Sequence, residues 1–468
     1  VLGCSIYKLQ AISLIESIVI CLISYILALF IVNDLSYTPI ANWVDADIRL
    51  SQYKGLILLT ALIAILTGCL AGLYPAIRST SYAPALVLKG SFGLSPKGKK
   101  VRVALIGFQY TVSIALIIVT LFMGLQNHFM TSSEQLGFNK DQVAIVNLTP
   151  EIYAKHKPQY IQKLKDYPGI EDVAFSVYEL SKEDDMIDLE YARHEDKDVF
   201  FKVFYASENF LSVMDIQVEE GRDFTREDLN KAQSDYIINP AAERDFHLHP
   251  GDRFNDRTVL GVSKDFRFNS CRIASSPFVF ALNNDIPNPK LVSYIRFNSK
   301  TNLQEAVAHV RETLKEIDPT FPFEISFYNT ILNNLYQKEQ TLGKLISLFG
   351  IMAILISIVG VFGLVLFETQ YRRKEIGIRK INGATTGQIL LMFNKTYIRI
   401  VSVCFIISIP IAWMGTQQWL ENFAYKTPLH LWVFIVAFLI ILSVTIGTVT
   451  FRNWQAANEN PVNSVKSE

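Results

Sequence analysis

Apolar and polar positions along this 468-residue chain are sorted into long blocks rather than finely interleaved. Six stretches, near residues 11–33, 55–77, 103–126, 343–367, 397–418 and 429–451, are almost free of charge. At roughly 20 residues each, they are long enough for a helix to cross a hydrocarbon core about 30 Å thick. Between the third and fourth stretches, from 127 to 342, the pattern changes. Short β-branched and aromatic runs at 143–146, 199–205, 257–262 and 291–297 alternate with helix-like stretches at 151–166, 207–214 and 302–317. The expected fold class is an α-helical membrane protein with about six transmembrane helices and a large α+β domain. Residues Tyr328 to Gln340 read as a helix continuing directly into the fourth span. A helix from about 329 to 367 would be close to 60 Å long. With the third span extended to about Gln135, it would form a pair of stalk helices.

Composition agrees with this division. Half of the residues are hydrophobic and only 19% are charged, against about 25% charged in ordinary soluble chains. Orientation follows from the lysines and arginines of the short loops. Residues 78–102 hold Arg78, Lys89, Lys97, Lys99, Lys100 and Arg102 with no acid, and 371–396 hold six basic residues against Glu375 alone. Both loops belong in the cytoplasm. The loop 34–54 sets Asp34, Asp45 and Asp47 against Arg49 and Lys54, and 419–428 is likewise unbiased, so both belong outside. Six crossings then put the 127–342 domain outside as well.

The basic loop carries the most specific pattern, Tyr371-Arg-Arg-Lys-Glu-Ile-Gly-Ile-Arg-Lys-Ile-Asn-Gly-Ala-Thr-Thr386. It resembles the signature E-I-G-hydrophobic-R-K-hydrophobic-x-G-A that follows the first membrane helix of FtsX-type permease modules, the membrane half of MacB-like ABC transporters. Glu375, Ile376, Gly377, Ile378, Arg379, Lys380, Ile381, Gly383 and Ala384 carry the match. The resemblance implies that this segment couples to a separate cytoplasmic ABC ATPase. A short helix with Arg379 and Lys380 for charge, and Ile376 and Ile378 for apolar contact, suits such a task. Gly377 and Gly383 permit close approach and a sharp exit, and Thr385 or Thr386 can cap the next helix. Arg372, Arg373 and Lys374 read instead as residues anchoring the fourth span. The segments Glu219-Glu-Gly-Arg-Asp-Phe224 and Gly261-Val-Ser-Lys-Asp-Phe-Arg-Phe268 look like phrases of the MacB-like periplasmic domain, as in Bacteroidetes versions.

An internal repeat extends the resemblance. Val1-Leu-Gly-Cys-Ser5 lines up with Ile381-Asn-Gly-Ala-Thr385, and Pro84-Ala-Leu-Val-Leu-Lys89 with Pro461-Val-Asn-Ser-Val-Lys466. The expected organisation is the C-terminal part of a first FtsX-like module at 1–100, a transmembrane helix and stalk at 101–126, the α+β domain at 127–342 and a second module at 343–468. Because the first copy opens inside its own coupling motif, the chain reads as the C-terminal part of a longer protein. Two modules in one chain would make a pseudo-dimer able to bind two ATPases, as an alternative to a dimer of chains.

Other features carry less. Gly93-Leu-Ser-Pro-Lys-Gly-Lys-Lys100 approaches a phosphate-binding loop, but Lys100 stands where Ser or Thr is needed and Pro96 intrudes, so it reads as a basic linker. His247-Leu-His249 with Glu243 has metal-ligand residues, yet the following Pro250-Gly251 favours a surface turn. Glu183-Asp-Asp185 reads as a solvated acidic loop, Gly68-x-x-x-Gly72 as a helix-packing pair, and Glu16 as an anchor near a span end. Only Cys271 of the five cysteines lies in the α+β domain, which excludes a disulfide within it. No catalytic constellation, bound cofactor or metal site is expected, and ATP would act through the partner ATPase. The resemblance implies a permease of the bacterial inner membrane, with its large domain in the periplasm, that transmits ATPase motion to export or release a substrate. A periplasmic adaptor or outer-membrane factor is a further possible partner, and nucleic acid is not. The alternative is an ATPase-coupled signalling or scaffold protein controlling a periplasmic enzyme or sensor.

The topology is directly testable in a background lacking the native cysteines. A cysteine at Asp184 should react with a membrane-impermeant maleimide from outside intact cells, and one at Lys97 only after permeabilisation. The reverse pattern would invert the orientation.

Overall fold

A computed structural model describes residues 5–38, 52–80, 96–132, 136–181, 188–231, 233–267, 269–282 and 291–457. The opening residues of the first repeat, both Pro-x-x-x-apolar-Lys segments, the acidic loop at 183–185 and most of the loop 34–54 lie outside the described residues. The chain divides into two compact units. One comprises 1–120, 341–413 and 431–468, and the other comprises 121–340 and 414–430. The segment 414–430, read from sequence with the last permease module, therefore groups with the α+β domain.

Six helices account for the six apolar stretches: α1 (Ile6–Leu35), α2 (Lys54–Thr80), α3 (Pro96–Thr131), α9 (Gln337–Tyr371), α11 (Thr386–Leu420) and α12 (Leu431–Ala457). All six are long and apolar enough to cross a membrane. They run past the apolar stretches because a helix keeps its backbone hydrogen bonds on leaving the hydrocarbon. Pro96–Lys100, read above as part of a linker, already forms the first turn of α3, where proline's missing N–H costs no helical bond.

In the first unit, α1 and α2 approach closely where α2 carries Gly68 and Gly72. A Cβ at Gly68 would sit 2.8 Å from the Ile18 Cα, and one at Gly72 would sit 2.7 Å from the Ser17 Oγ. This is the small-residue packing read from the sequence. The Tyr25 hydroxyl adds a hydrogen bond to the Ile57 carbonyl at 2.6 Å. Glu16 lies on an exposed side of α1. Side-chain pairs link the other helices of this unit: Tyr110 with Thr445 at 2.9 Å, Ser113 with Ser357 at 2.9 Å, and Thr369 with Asn453 at 2.8 Å. Such pairs between apolar helices contribute about 0.6 kcal/mol each and fix register.

The second unit is built on an eleven-stranded mixed sheet. Its strands are β1 (Val143–Leu148), β2 (Ile170–Ser176), β3 (Asp188–His194), β4 (Lys197–Ala206), β5 (Val218–Gly221), β6 (Tyr236–Ile238), β7 (Arg253–Phe254), β8 (Arg257–Ser263), β9 (Phe278–Leu282), β10 (Leu291–Phe297) and β11 (Ile325–Phe327). Their order is β11-β1-β10-β2-β4-β9-β6-β8-β5, with β3 hydrogen-bonded to β4 and β7 to β8. Helices α4 (Lys157–Lys165), α5 (Phe210–Met214), α6 (Pro240–Phe246), α7 (Leu303–Ile317) and α8 (Tyr328–Leu335) complete the unit. A single π-helical turn, Ile152–His156, leads into α4, so the helical stretch read at 151–166 is two pieces.

Alternation along the strands feeds cores on opposite faces of the sheet. On β10, Leu291, Ile295 and Phe297 join Tyr160, Leu164, Val310 and Leu314. Val292 and Tyr294 turn the other way, toward Phe204, Phe210, Phe278 and Tyr328. A strand covered on both faces is mostly apolar, and from 291 to 297 only Ser293 and Arg296 are polar.

One expectation fails at the start of the fourth span. The helix does not run unbroken from about 329 to 367: α8 stops at Leu335, Tyr336 adopts φ −106° and ψ 13°, and α9 begins at Gln337. The Tyr336 ring is fully buried and its hydroxyl makes a tertiary hydrogen bond described below, while its N–H and carbonyl keep helical bonds to Leu332 and Gln340, so the interruption is a single distorted residue. From Gln337 to Tyr371, α9 spans about 52 Å. The α3 and α9 helices are neighbours within the first unit, since Ser113 bonds Ser357 and a Cβ at Gly360 would meet Gln109 Oε1 at 2.8 Å.

The two phrases at 219–224 and 261–268 prove to be one structure. β5 pairs with β8 so that Gly221 faces Gly261. Gly221 has φ +79°, and a Cβ there would lie 2.2 Å from the Leu260 carbonyl oxygen and 2.7 Å from the Gly261 Cα. Only glycine fits. Arg222 then donates two hydrogen bonds, of 2.7 and 2.9 Å, to the Asp228 carboxylate. Asp228 also accepts the Thr225 N–H at 2.9 Å and pairs with Lys231 at 3.0 Å. The carboxylate is buried at 2% exposure, and Arg222 holds its pKa well below the usual range.

A depressed carboxyl pKa stabilises the fold above the unfolded value near 4, and that stability is lost as pH falls toward the folded value. Asp228→Asn should cost about 1.5–3 kcal/mol at neutral pH and flatten the acid limb of the stability curve. Thermal unfolding between pH 3 and pH 7 measures both.

Candidate functional site: a basic coupling turn and an aromatic collar

The coupling motif folds as predicted in outline. Helix α10 (Arg373–Ile381) is a separate short helix between α9 and α11. It ends at Gly383, which has φ +86°, a left-handed conformation that glycine adopts without strain. Nothing lies within 4 Å of a Cβ placed there, so the requirement at Gly383 is conformational and not one of close approach. Thr385 caps α11: its Oγ1 accepts the Gln388 N–H at 3.3 Å while the Gln388 side chain accepts the Thr385 N–H at 3.1 Å. Of the two threonines offered by the sequence, the first does the capping.

The helix sorts the motif residues onto two sides. Ile376, at 5% exposure, and Gly377 are buried against the rest of the unit, whereas Ile378 at 55% and Ile381 at 65% are exposed. The expectation that both Ile376 and Ile378 serve as outer apolar contacts is therefore corrected. A residue i and its i+2 neighbour lie about 200° apart on a helix, so they cannot share a face, and Ile381 takes the outer role beside Ile378. Arg379 is half-exposed and bonds the Glu375 carboxylate at 2.8 Å, one turn away. Lys380 and Ala384 are partly exposed. Arg372 faces inward, bonding Glu368 at 3.0 Å with its guanidinium 5.8 Å from the Phe393 ring centroid. Glu368 also accepts the Tyr397 hydroxyl at 3.3 Å. Arg372 thus secures the end of α9, as read from the sequence, and leaves Arg379 to present charge outward.

A second group, which sequence reading missed, lies in the other unit. The segment between α11 and α12 folds onto Arg267, onto residues 271–275 and onto the end of α3. Tyr425 donates its N–H to the Cys271 carbonyl at 3.1 Å, and its hydroxyl accepts the Ser275 N–H at 3.0 Å. Gln126 of α3 bridges the same segment, donating to the Tyr425 carbonyl at 3.1 Å and accepting the Thr427 N–H at 2.8 Å. Arg267 lies 4.1 Å over the Tyr425 ring and 5.3 Å from that of Phe129. Arg272 lies 4.9 Å over Phe423 and bonds Glu339 at 2.7 Å. The Tyr336 hydroxyl accepts the Cys271 N–H at 3.1 Å and lies 3.3 Å from the Cys271 sulfur. Met130, Cys271, Tyr336 and Phe423 form the buried centre. Burial pushes the Cys271 thiol pKa up, and at 1% exposure it is an inert packing group rather than a nucleophile. This collar joins residues from 65 to 301 positions apart, so no local pattern could have revealed it.

The remaining candidates separate clearly. His247 is the left-handed C-cap of α6, with φ 53°, so the surface-turn reading holds for it. His249 instead approaches Glu243, its Nδ1 lying 3.6 Å from Glu243 Oε1.

Six long apolar helices and an inserted α+β domain define a multi-pass membrane protein. Residues 347–461 match the FtsX-like permease C-terminal family, so the coupling turn lies inside the matched segment. The chain is 25% identical over 212 residues to the macrolide export ATP-binding/permease protein MacB of Aggregatibacter actinomycetemcomitans, covering 42% of this chain and 32% of that protein. It is 25% identical over 223 residues to MacB of Neisseria gonorrhoeae, covering 45% and 34%. The chain thus spans about a third of the length of these relatives. Among solved structures, the periplasmic region of MacB from Actinobacillus actinomycetemcomitans aligns with a TM-score of 0.32 and 15% identity, covering 42% of this chain and 94% of that one. Residues 347–461 of this membrane protein thus match an FtsX-like permease C-terminal domain, and a little under half of the chain is similar to part of MacB.

Gln126→Leu should leave the Tyr425 carbonyl and the Thr427 N–H without partners, at a cost of about 1–3 kcal/mol. Thermal unfolding in detergent should show a lower Tm. An unchanged Tm would mean that the collar does not hold this loop.

Proposed function

We propose that this chain is the membrane-bound side of an ATP-driven machine of the bacterial inner membrane. A separate cytoplasmic ABC ATPase docks at α10, and its closure on ATP moves the membrane helices and the periplasmic α+β domain to export or release a substrate. The carrying observation is the outer side of α10: Ile378 and Ile381, three positions apart, are exposed, and Arg379 flanks Ile378, on a short helix that ends in a left-handed glycine. An apolar pair with a basic rim is what a soluble partner with an acidic groove would bury.

Connectivity supports force transmission. α9 ends where α10 begins, and α11 starts after the Gly383–Thr385 turn. At their other ends, α9 supplies Glu339 to the collar and α11 leads into Phe423 and Tyr425. A push on the turn therefore reaches the α+β domain through two continuous helices and a hydrogen-bonded loop. The transmembrane side-chain pairs are neutral hydroxyls and amides, which suits coupling of helix movements better than passage of a polar substrate between the helices. ATP enters through the partner. A periplasmic adaptor or outer-membrane factor is the partner expected for the outer domain.

Arg379→Glu would place two carboxylates one helical turn apart, at Glu375 and residue 379, and reverse the charge offered to the ATPase. It should weaken co-purification with its partner ABC ATPase by about tenfold or more and abolish stimulated ATP hydrolysis, while membrane insertion is retained. Undiminished binding by the variant would remove α10 from the docking surface. Docking accompanied by a tightly bound periplasmic hydrolase or sensor would favour the signalling role over export.

A further inference from the structure

The collar and the coupling turn leave one chemically distinctive cluster unused. Glu220 on β5, Glu243 on α6 and His249 in the loop after α6 each offer a ligand atom, and these three atoms lie within 4.8 Å of one another. The residues come from three separate elements, and Glu220 is far from the His247-Leu-His249 motif in sequence. Among the described residues, no lysine or arginine forms an ion pair with Glu220 or Glu243. Two carboxylates converging beside an imidazole without a basic partner repel each other, and a divalent cation would cancel that charge.

The framework beneath the cluster is fixed. Asn239 caps α6 by accepting the Ala242 N–H at 2.9 Å, which orients the helix bearing Glu243. Leu248, buried, donates its N–H to the Glu243 carbonyl at 3.2 Å, and the His249 N–H reaches Asp252 Oδ2 at 2.8 Å. Gly251 donates to the Val259 carbonyl of β8 at 2.8 Å. β8 in turn pairs with β5 through the register shift that precedes Glu220. The ligand backbones are therefore tied to one another through β8, and binding would require little beyond side-chain rotation.

We propose that Glu220, Glu243 and His249 form a divalent-metal site of the zinc class on the α+β domain. One imidazole nitrogen with two carboxylates suits a borderline first-row cation. Calcium prefers six to eight oxygens, and magnesium retains most of its waters. Three protein ligands leave a fourth position open to water or to a donor from a bound partner. Occupancy would clamp β5, an edge strand, to the loop after α6. His247, turned into the helix cap, takes no part.

The test uses the full chain in detergent, stripped with a chelator and titrated with zinc chloride by calorimetry, with thermal unfolding in parallel. The wild type should bind zinc and gain Tm. His249→Ala and Glu220→Gln should each weaken one site by about tenfold or more and lose the Tm gain, and His247→Ala should match the wild type. Because Glu220 and His249 are exposed, these substitutions leave the core intact. Absence of zinc uptake at micromolar concentrations, or equal uptake by all four proteins, would overturn the site.

Discussion

A hydrocarbon core provides no partner for a backbone N–H or C=O, and the rest of this structure follows from that constraint. Each segment that enters the apolar phase must close its own hydrogen bonds, so it is helical. Strands, turns and irregular loops then belong to the segments between the spans. With hydrocarbon on both sides of an interface there is little hydrophobic gain in helix pairing, so specificity falls to small residues and neutral polar pairs. Gly68 and Gly72 on α2 fill the first role, and Tyr110–Thr445, Ser113–Ser357 and Thr369–Asn453 the second.

Outside the hydrocarbon a different rule governs the α+β domain. Its central strands are covered on both faces, so they are mostly apolar. At the sheet edge a separate demand appears: Gly221 on β5, with φ +79°, lies so close to Leu260 and Gly261 of β8 that only glycine fits. The phrases that look like those of the MacB-like periplasmic domain let β5 lie against β8 and seat the Arg222–Asp228 pair. Their physical role is structural, and the exposed chemistry sits beside them, on Glu220 and the loop after α6.

The two candidate functional elements differ in how far they can be read from the sequence. The coupling turn can be read locally because its properties are local: a helix of nine residues, its charges, a left-handed glycine and a threonine cap within a single stretch of chain. The collar depends on pairings between Gln126 and Thr427, Cys271 and Tyr336, and Arg272 and Glu339. Its strength comes from buried main-chain groups of one segment finding side chains of another. Each of these residues, taken alone, looks like an ordinary polar or aromatic residue near a membrane boundary.

The sequence by itself determined the six spans, the α+β character of the insertion, the short basic helix with its terminal glycine turn, and the helix-packing glycines. Each of these depends on periodicity, run length or a conformational preference confined to neighbouring residues. Tertiary structure decided the break at Tyr336, the inward turn of Ile376, the recruitment of 414–430 to the α+β domain, and the meeting of Glu220 with Glu243 and His249. Those outcomes depend on which groups from separate elements meet, and a contact between residues tens or hundreds of positions apart leaves no trace in the local pattern of either partner.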